Sequence, residues 1–220
     1  MTWSSSPSRS RTSTWFVTAW FIAACCVTYA VTVIQSGNIA EPLASPRSTV
    51  GWSLLFDAGS ISAHHEWWRV LTAALVHLNP GHLILNMILI FLLGREVERE
   101  YGHVVMAALI VACASGGALA CMIFEPLTPV AGASTVGFGL FAMLLALTKR
   151  RRQPLAGPLV LLAVNIGFSF FGGVSLWGHL GGLTAGAGVA SPQKNKKTAA
   201  IIIAAATFAA AVTAGLNGWP

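Results

Sequence analysis

Charge is what this sequence has least of. Only 9% of its 220 residues are Asp, Glu, Lys or Arg, where a soluble globular chain carries roughly 25%. Acidic groups are the scarcer sign, 7 against 13 basic ones. The shortage, set beside 55% hydrophobic residues and several long apolar runs, excludes an ordinary soluble domain and indicates a polytopic membrane protein. About seven spans of roughly 20 residues fit with short loops, and a separate soluble domain does not. The four cysteines, Cys25, Cys26, Cys113 and Cys121, lie within predicted spans without metal-ligand spacing or a disulfide framework. They read as small apolar packing residues. The net charge of +6 does not point to nucleic acid, because basic residues punctuate the apolar runs and form no single stripe. A cleaved signal peptide is not expected: Ser4-Ser5-Ser6-Pro7-Ser8-Arg9 is polar and the first apolar run is long enough to span.

The pattern predicts an all-α, polytopic membrane helix bundle of seven spans. They cover residues 15–34, 67 or 79 to 93, 103–123, 134–148, 155–171, 175–190 and 198–216. A Pro-, Gly- and Ser-rich loop, 35–66, follows the first span and carries its own apolar patch at 52–56. Residues 1–14 form a polar N-terminal tail. With the N-terminus inside, Arg9, Arg11, Arg95, Arg99, Lys149, Arg150, Arg151, Arg152, Lys194, Lys196 and Lys197 are internal; only Arg47 and Arg69 are external. By the positive-inside rule the N-terminus is cytoplasmic, and the long first loop and the C-terminus are external.

Against this apolar background four polar groups stand out, since hydrocarbon penalises polar side chains and ionisable ones most. Ser134 lies in Gly132-Ala133-Ser134-Thr135 and His179 in Gly178-His179-Leu180-Gly181-Gly182. His82 and Asn86 are four residues apart, on one helix face. At 1.5 Å per residue, Ser134 sits roughly 22 Å above Lys149, His179 roughly 18 Å above Ser191 and His82 roughly 20 Å above Arg95, with Asn86 one turn deeper. All four reach a similar depth below the outer surface of a hydrocarbon core about 30 Å thick. The fourth span is too short to cross, so the loop 125–133 must dip inward, which membranes tolerate beside protein or a water-filled cavity.

A serine at a helix N-terminus has a backbone N–H without an intrahelical partner, in a field that favours negative charge. Ser134 is thus a candidate nucleophile and His179 its general base. No Asp or Glu lies in the sixth span or near that level, so the pair reads as a Ser–His dyad without a carboxylate. The His82 imidazole and Asn86 amide are candidate oxyanion donors. Gly178, Gly182 and Gly186 repeat every four residues, a small-xxx-small face for close helix approach. The combination points to proteolysis within a membrane, without metal or other cofactor.

These motifs resemble the rhomboid family of intramembrane serine proteases, over roughly residues 67–190. The resemblance is carried by Trp68-Arg69, His82-Leu83-Ile84-Leu85-Asn86, Gly94-Arg95-Glu96-Val97-Glu98, Tyr101-Gly102, Gly132-Ala133-Ser134 and His179-Leu180-Gly181-Gly182 continuing to Gly186. It implies a six-helix core within residues 15–192 and an additional seventh helix within 193–220. It also implies Ser134 as nucleophile, His179 as base, and an oxyanion site of His82, Asn86 and the Ser134 N–H. The first loop would lie partly in the outer leaflet, braced by Arg69, and the fifth helix would gate access from lipid. Substrates would be single-span membrane proteins, cleaved near the outer face through an acyl-enzyme; the plasma membrane of a bacterium is the expected location. Two positions depart from the family pattern. Thr135 replaces the usual glycine after the serine and is expected to crowd the fourth and sixth helices. Phe138 replaces a tyrosine that packs on the histidine, keeping the ring and losing the hydroxyl.

Two other functions compete. An inactive rhomboid-like protein would bind membrane helices as chaperone or adaptor; Thr135 favours it and the four retained polar residues oppose it. A transporter or channel would need mid-span charges or paired repeats, and the chain has neither. His64-His65-Glu66 is a weaker candidate for metal, His77 reads as a cap or packing group, and Asn165 as a bond to a neighbouring helix. Arg95, Glu96, Glu98 and Arg99 read as local ion pairs and helix-end contacts.

Overall fold

A computed structural model of the protein describes residues 15–170 and 174–218. The expected tail at 1–14 and the expected end of the fifth span at residue 171 lie outside the described residues. The long helices are α1 (Phe16–Ser36), α5 (Pro80–Tyr101), α6 (His103–Phe124), α7 (Ser134–Arg150), α8 (Ala156–Phe168), α9 (Leu176–Ala190) and α10 (Lys196–Leu216). Short helices α2 (Thr49–Leu54), α3 (Ala58–His64) and α4 (Arg69–Thr72) fold up the first loop. The protein is an all-α polytopic membrane helix bundle. Of its helices α1, α5, α6 and α10 are long and apolar enough to cross a bilayer on their own. Large side chains such as Trp20, Ile34, Leu85, Val160 and Ile202 face outward, as a lipid-solvated surface requires.

Caps decide where the helices start. The second span had two possible beginnings, 67 or 79. Asn79 caps α5, its side chain accepting from His82 N at 2.8 Å, with Pro80 at the first turn, where a missing N–H costs nothing. Residues 69–75 form a separate helical turn pair. Ser175 caps α9 by accepting from Gly178 N at 2.7 Å. α1 has no side-chain cap of its own. Glu98 of α5 supplies one, accepting from Val17 N and Thr18 N at 2.8 Å each and from the Thr18 hydroxyl at 2.6 Å. A cap donated across the bundle fixes α1 to α5 as well as satisfying its orphan donors.

α6 is the central column, packed against α7, α9 and α10. Ser115, Gly116, Gly117 and Ala118 are all buried on it. A methyl group at Gly181 would run into the Gly116 carbonyl, one at Gly182 into the Thr135 carbonyl, and one at Gly186 into the backbone of Gly139. Helices in lipid gain little hydrophobic energy by associating, so this backbone-to-backbone approach is what dispersion and packing can use. α8 is the exception. It packs chiefly on α7, and its Leu159, Leu161 and Val164 stay exposed.

The segment before α7 does dip into the bundle. Ala131 and Ala133 are buried, and Phe56 and Val130 exchange backbone hydrogen bonds of 2.9 and 3.0 Å. Gly132 N donates to Ala73 O at 3.0 Å. At about 1.5 Å per residue, the 17 residues of α7 span roughly 26 Å, less than the hydrocarbon core.

Candidate active site

α7 begins at Ser134, so the serine sits where its N–H has no partner within the helix. Gly132 places it there, with φ of +139°, a conformation L side chains rarely adopt. A Cβ on Gly132 would also stand 2.9 Å from His82 Nε2. Glycine therefore serves both the turn and the closeness of the imidazole.

Ser134 Oγ and His179 Nε2 are 2.8 Å apart, a normal hydrogen bond between two helices distant in sequence and packed in space. On the far side of the ring, His179 Nδ1 lies 2.6 Å from Ser169 Oγ. One proton arrangement satisfies every group. Ser134 O–H donates to Nε2, Nδ1–H donates to Ser169 Oγ, and Ser169 O–H donates to Asn165 O at 3.4 Å. A neutral hydroxyl thus occupies the position a carboxylate takes in a serine triad, holding the tautomer that leaves Nε2 basic. Phe138 stacks on the same ring at 4.2 Å and 12°, so the imidazole is fixed in plane and in height.

His82 is held differently. Leu78 N donates to its Nδ1 over a long 3.5 Å, which leaves the proton on Nε2. That nitrogen is buried without a partner among the described residues. The Asn86 side chain donates one amide hydrogen to His82 O at 2.9 Å; a primary amide has a second to offer. His82, Asn86, Ser134, Phe138, Asn165 and His179 together line a cavity of about 400 Å³. Asn165 donates to Leu161 O of its own helix at 2.8 Å, a correction to the neighbour-helix bond expected for it.

Thr135 is housed in a way the sequence did not suggest. Its methyl group lies against α6, where a Cβ on Gly117 would meet Thr135 Cγ2 at 2.5 Å. The crowding expected between α7 and α9 is relieved by glycine on a third helix. Arg69 is buried; it donates to Trp52 O at 2.7 Å and Leu55 O at 2.8 Å, and pairs with Glu66 at 2.6 Å. Glu66 is thereby engaged by Arg69. His77 is buried against the His82 ring at 5.2 Å.

Two groups escaped the sequence reading. Ser169 is one serine among many, and only the turn after α8 aims it at His179. Glu125 accepts from Ser175 Oγ and from Cys121 Sγ, tying the end of α6 to the cap of the helix that carries His179. Burial pushes its carboxyl above the ordinary carboxylate range.

The fold and site define a class: a multi-pass membrane protein holding a serine in hydrogen-bond contact with a histidine at a cavity inside the bundle. The chain belongs to the rhomboid family, whose Rhomboid domain it matches over residues 64–192. It is 35% identical over 133 residues to Rhomboid protease GluP of Bacillus subtilis, an alignment covering 58% of this chain and 26% of that protein. It is 28% identical to RHOMBOID-like protein 1 of Arabidopsis thaliana over 66% of this chain and 40% of that one. Against Rhomboid-like protease 3 of Toxoplasma gondii it is 32% identical, over 56% and 51%. These alignments thus cover from about a quarter to about half of the relatives' lengths.

Proposed function

We propose that the protein is an intramembrane serine endopeptidase in which Ser134 is the nucleophile and His179 the general base. The 2.8 Å contact between Ser134 Oγ and His179 Nε2 at a cavity wall carries the reading. Ser134 Oγ attacks the scissile carbonyl carbon while its proton passes to His179 Nε2. The negative charge on the carbonyl oxygen is met by the Ser134 N–H, His82 Nε2–H and the free amide hydrogen of Asn86. His179 then protonates the leaving amine, and the amide C–N bond breaks to leave an acyl ester on Ser134. A water molecule gives a proton to His179 and attacks the ester. The new carboxylate leaves, and the proton returns to the serine oxygen.

Substrates are single-span membrane proteins cleaved near the outer face. α8, packed chiefly on α7 alone, is the side gate from lipid, and the Arg69-braced loop closes the top. The N-terminus is cytoplasmic and the C-terminus external, in the plasma membrane of a bacterium. Named rhomboid proteases among the relatives support the activity. The space that Gly117 leaves for the Thr135 methyl group supports the active reading over the inactive one.

The test is cleavage of a single-span reporter co-reconstituted in liposomes. Ser134→Ala and His179→Ala are expected to lose at least about 10⁴-fold in rate. Asn86→Ala should lose about 10²-fold or more in kcat with KM little changed. A folded wild type that leaves every such reporter intact contradicts the proposal.

A further inference from the structure

A second cavity, of about 890 Å³, opens at the opposite end of α7 from Ser134. We propose that it binds an anionic phospholipid, with the phosphate between Lys149 and Lys196 and an acyl chain in the apolar part below. Its rim carries Lys149, Arg150, Lys196 and Tyr101, and its wall includes Leu145 and Leu183. Five helices and the loop 191–193 contribute, so the rim is not one helix end or one run of charge.

The cations divide into two sets. Arg150 and Arg151 are neutralised by Glu100, and Arg151 also by Glu96. Among the described residues, Lys149 and Lys196 have no carboxylate within ion-pair distance. Lys196 is half-buried; its ammonium donates to Ser191 O at 2.7 Å and lies 5.6 Å from the Tyr101 ring centre. Arg150 lies over the same ring at 5.5 Å. Two ammonium groups left over at a membrane boundary, above an apolar slot, lack an anion. A phosphodiester supplies the charge, and its chain fills the slot; a free phosphate would leave the apolar part empty. Basic pockets between helices at a membrane face are suited to such headgroups, each basic side chain contributing about 1 kcal/mol. The site does not depend on the protease reading, since it lies a helix length from the serine.

The experiment is native mass spectrometry of the full chain in neutral detergent, titrated separately with dioleoyl phosphatidylglycerol and dioleoyl phosphatidylcholine. These probes share their chains and differ in net charge. One phosphatidylglycerol per chain should be held more tightly than phosphatidylcholine. Lys149→Gln with Lys196→Gln should weaken it roughly 30-fold, as two basic contacts imply. Lys194→Gln with Lys197→Gln, which removes the same charge outside the cavity, should leave binding unchanged. Circular dichroism reports whether the variants fold. If the first pair does not fold, Leu145→Trp, which fills the slot without touching charge, should weaken both lipids. Equal affinity for the two lipids overturns the site, as does equal loss in both lysine pairs. Displacement of the lipid by inorganic phosphate at comparable concentration assigns the site to a free anion and also overturns it.

Discussion

His179 is held on three sides: Ser134 on one nitrogen, Ser169 on the other, Phe138 across its face. Ser169 acts as a positioning residue, through a neutral hydrogen bond worth about 0.5–1.5 kcal/mol. Ser169→Ala should therefore lower kcat about three- to tenfold, leave KM unchanged, and be rescued by Ser169→Thr. Unchanged kcat in the alanine variant would reduce the contact to packing. How far this site was legible follows from residue type. A histidine in hydrocarbon is rare enough to be read directly, so His179 and His82 were visible at one depth, and Asn86 with them through its place one turn from His82. Ser169 was not, because a hydroxyl is cheap in a membrane helix and its register relative to His179 is set by a turn whose geometry has no motif. Phe138 was legible only through the family resemblance. Gly117 as the seat of Thr135 was not, because that pair depends on how α6 and α7 rotate against each other.

Among the elements, the helices themselves were legible wherever apolar length or a cap spoke for them. Asn79-Pro80 settles the start of α5, and Ser175 that of α9. What the pattern does not contain is long-range capping. Glu98 reads as a local ion-pairing residue, yet it terminates α1 from another helix, a contact eighty positions away in the chain. The Phe56–Val130 bridge is of the same kind. The glycine face of α9, Gly178, Gly182 and Gly186, was legible as an interface, and the structure specifies α7 as its partner at Gly182 and Gly186; Gly181, outside that repeat, meets α6. A methyl group at Gly182 or Gly186 meets backbone, which cannot swing aside. Gly182→Ala should cost about 1–3 kcal/mol of stability and appear as a lower midpoint on thermal unfolding in detergent. Gly157→Ala, where nothing lies within 4 Å, should leave the midpoint unchanged. Equal effects of the two would show that the approach of α7 to α9 is not what holds the bundle.

For the whole molecule, sparse charge does two jobs. Among the described residues the basic groups other than Arg47 and Arg69 cluster at one end of the bundle, and the few polar groups of the cavity lie toward the other. If the basic end is cytoplasmic, alkaline phosphatase fused after Gly218 should be active in a bacterial host, and the same enzyme fused after Arg152 inactive. The reverse pattern would invert the depth argument and place the cavity toward the cytoplasm. Orientation also fixes which leaflet offers a phospholipid to Lys149 and Lys196.

The central claim is that His179 activates Ser134 inside this bundle, and intact-mass analysis after reaction with diisopropyl fluorophosphate tests it most directly. One phosphoryl adduct per wild-type chain is expected, mapped to Ser134, and none on folded Ser134→Ala or His179→Ala. An adduct that persists in His179→Ala at the wild-type rate, or that maps to another serine, would contradict it.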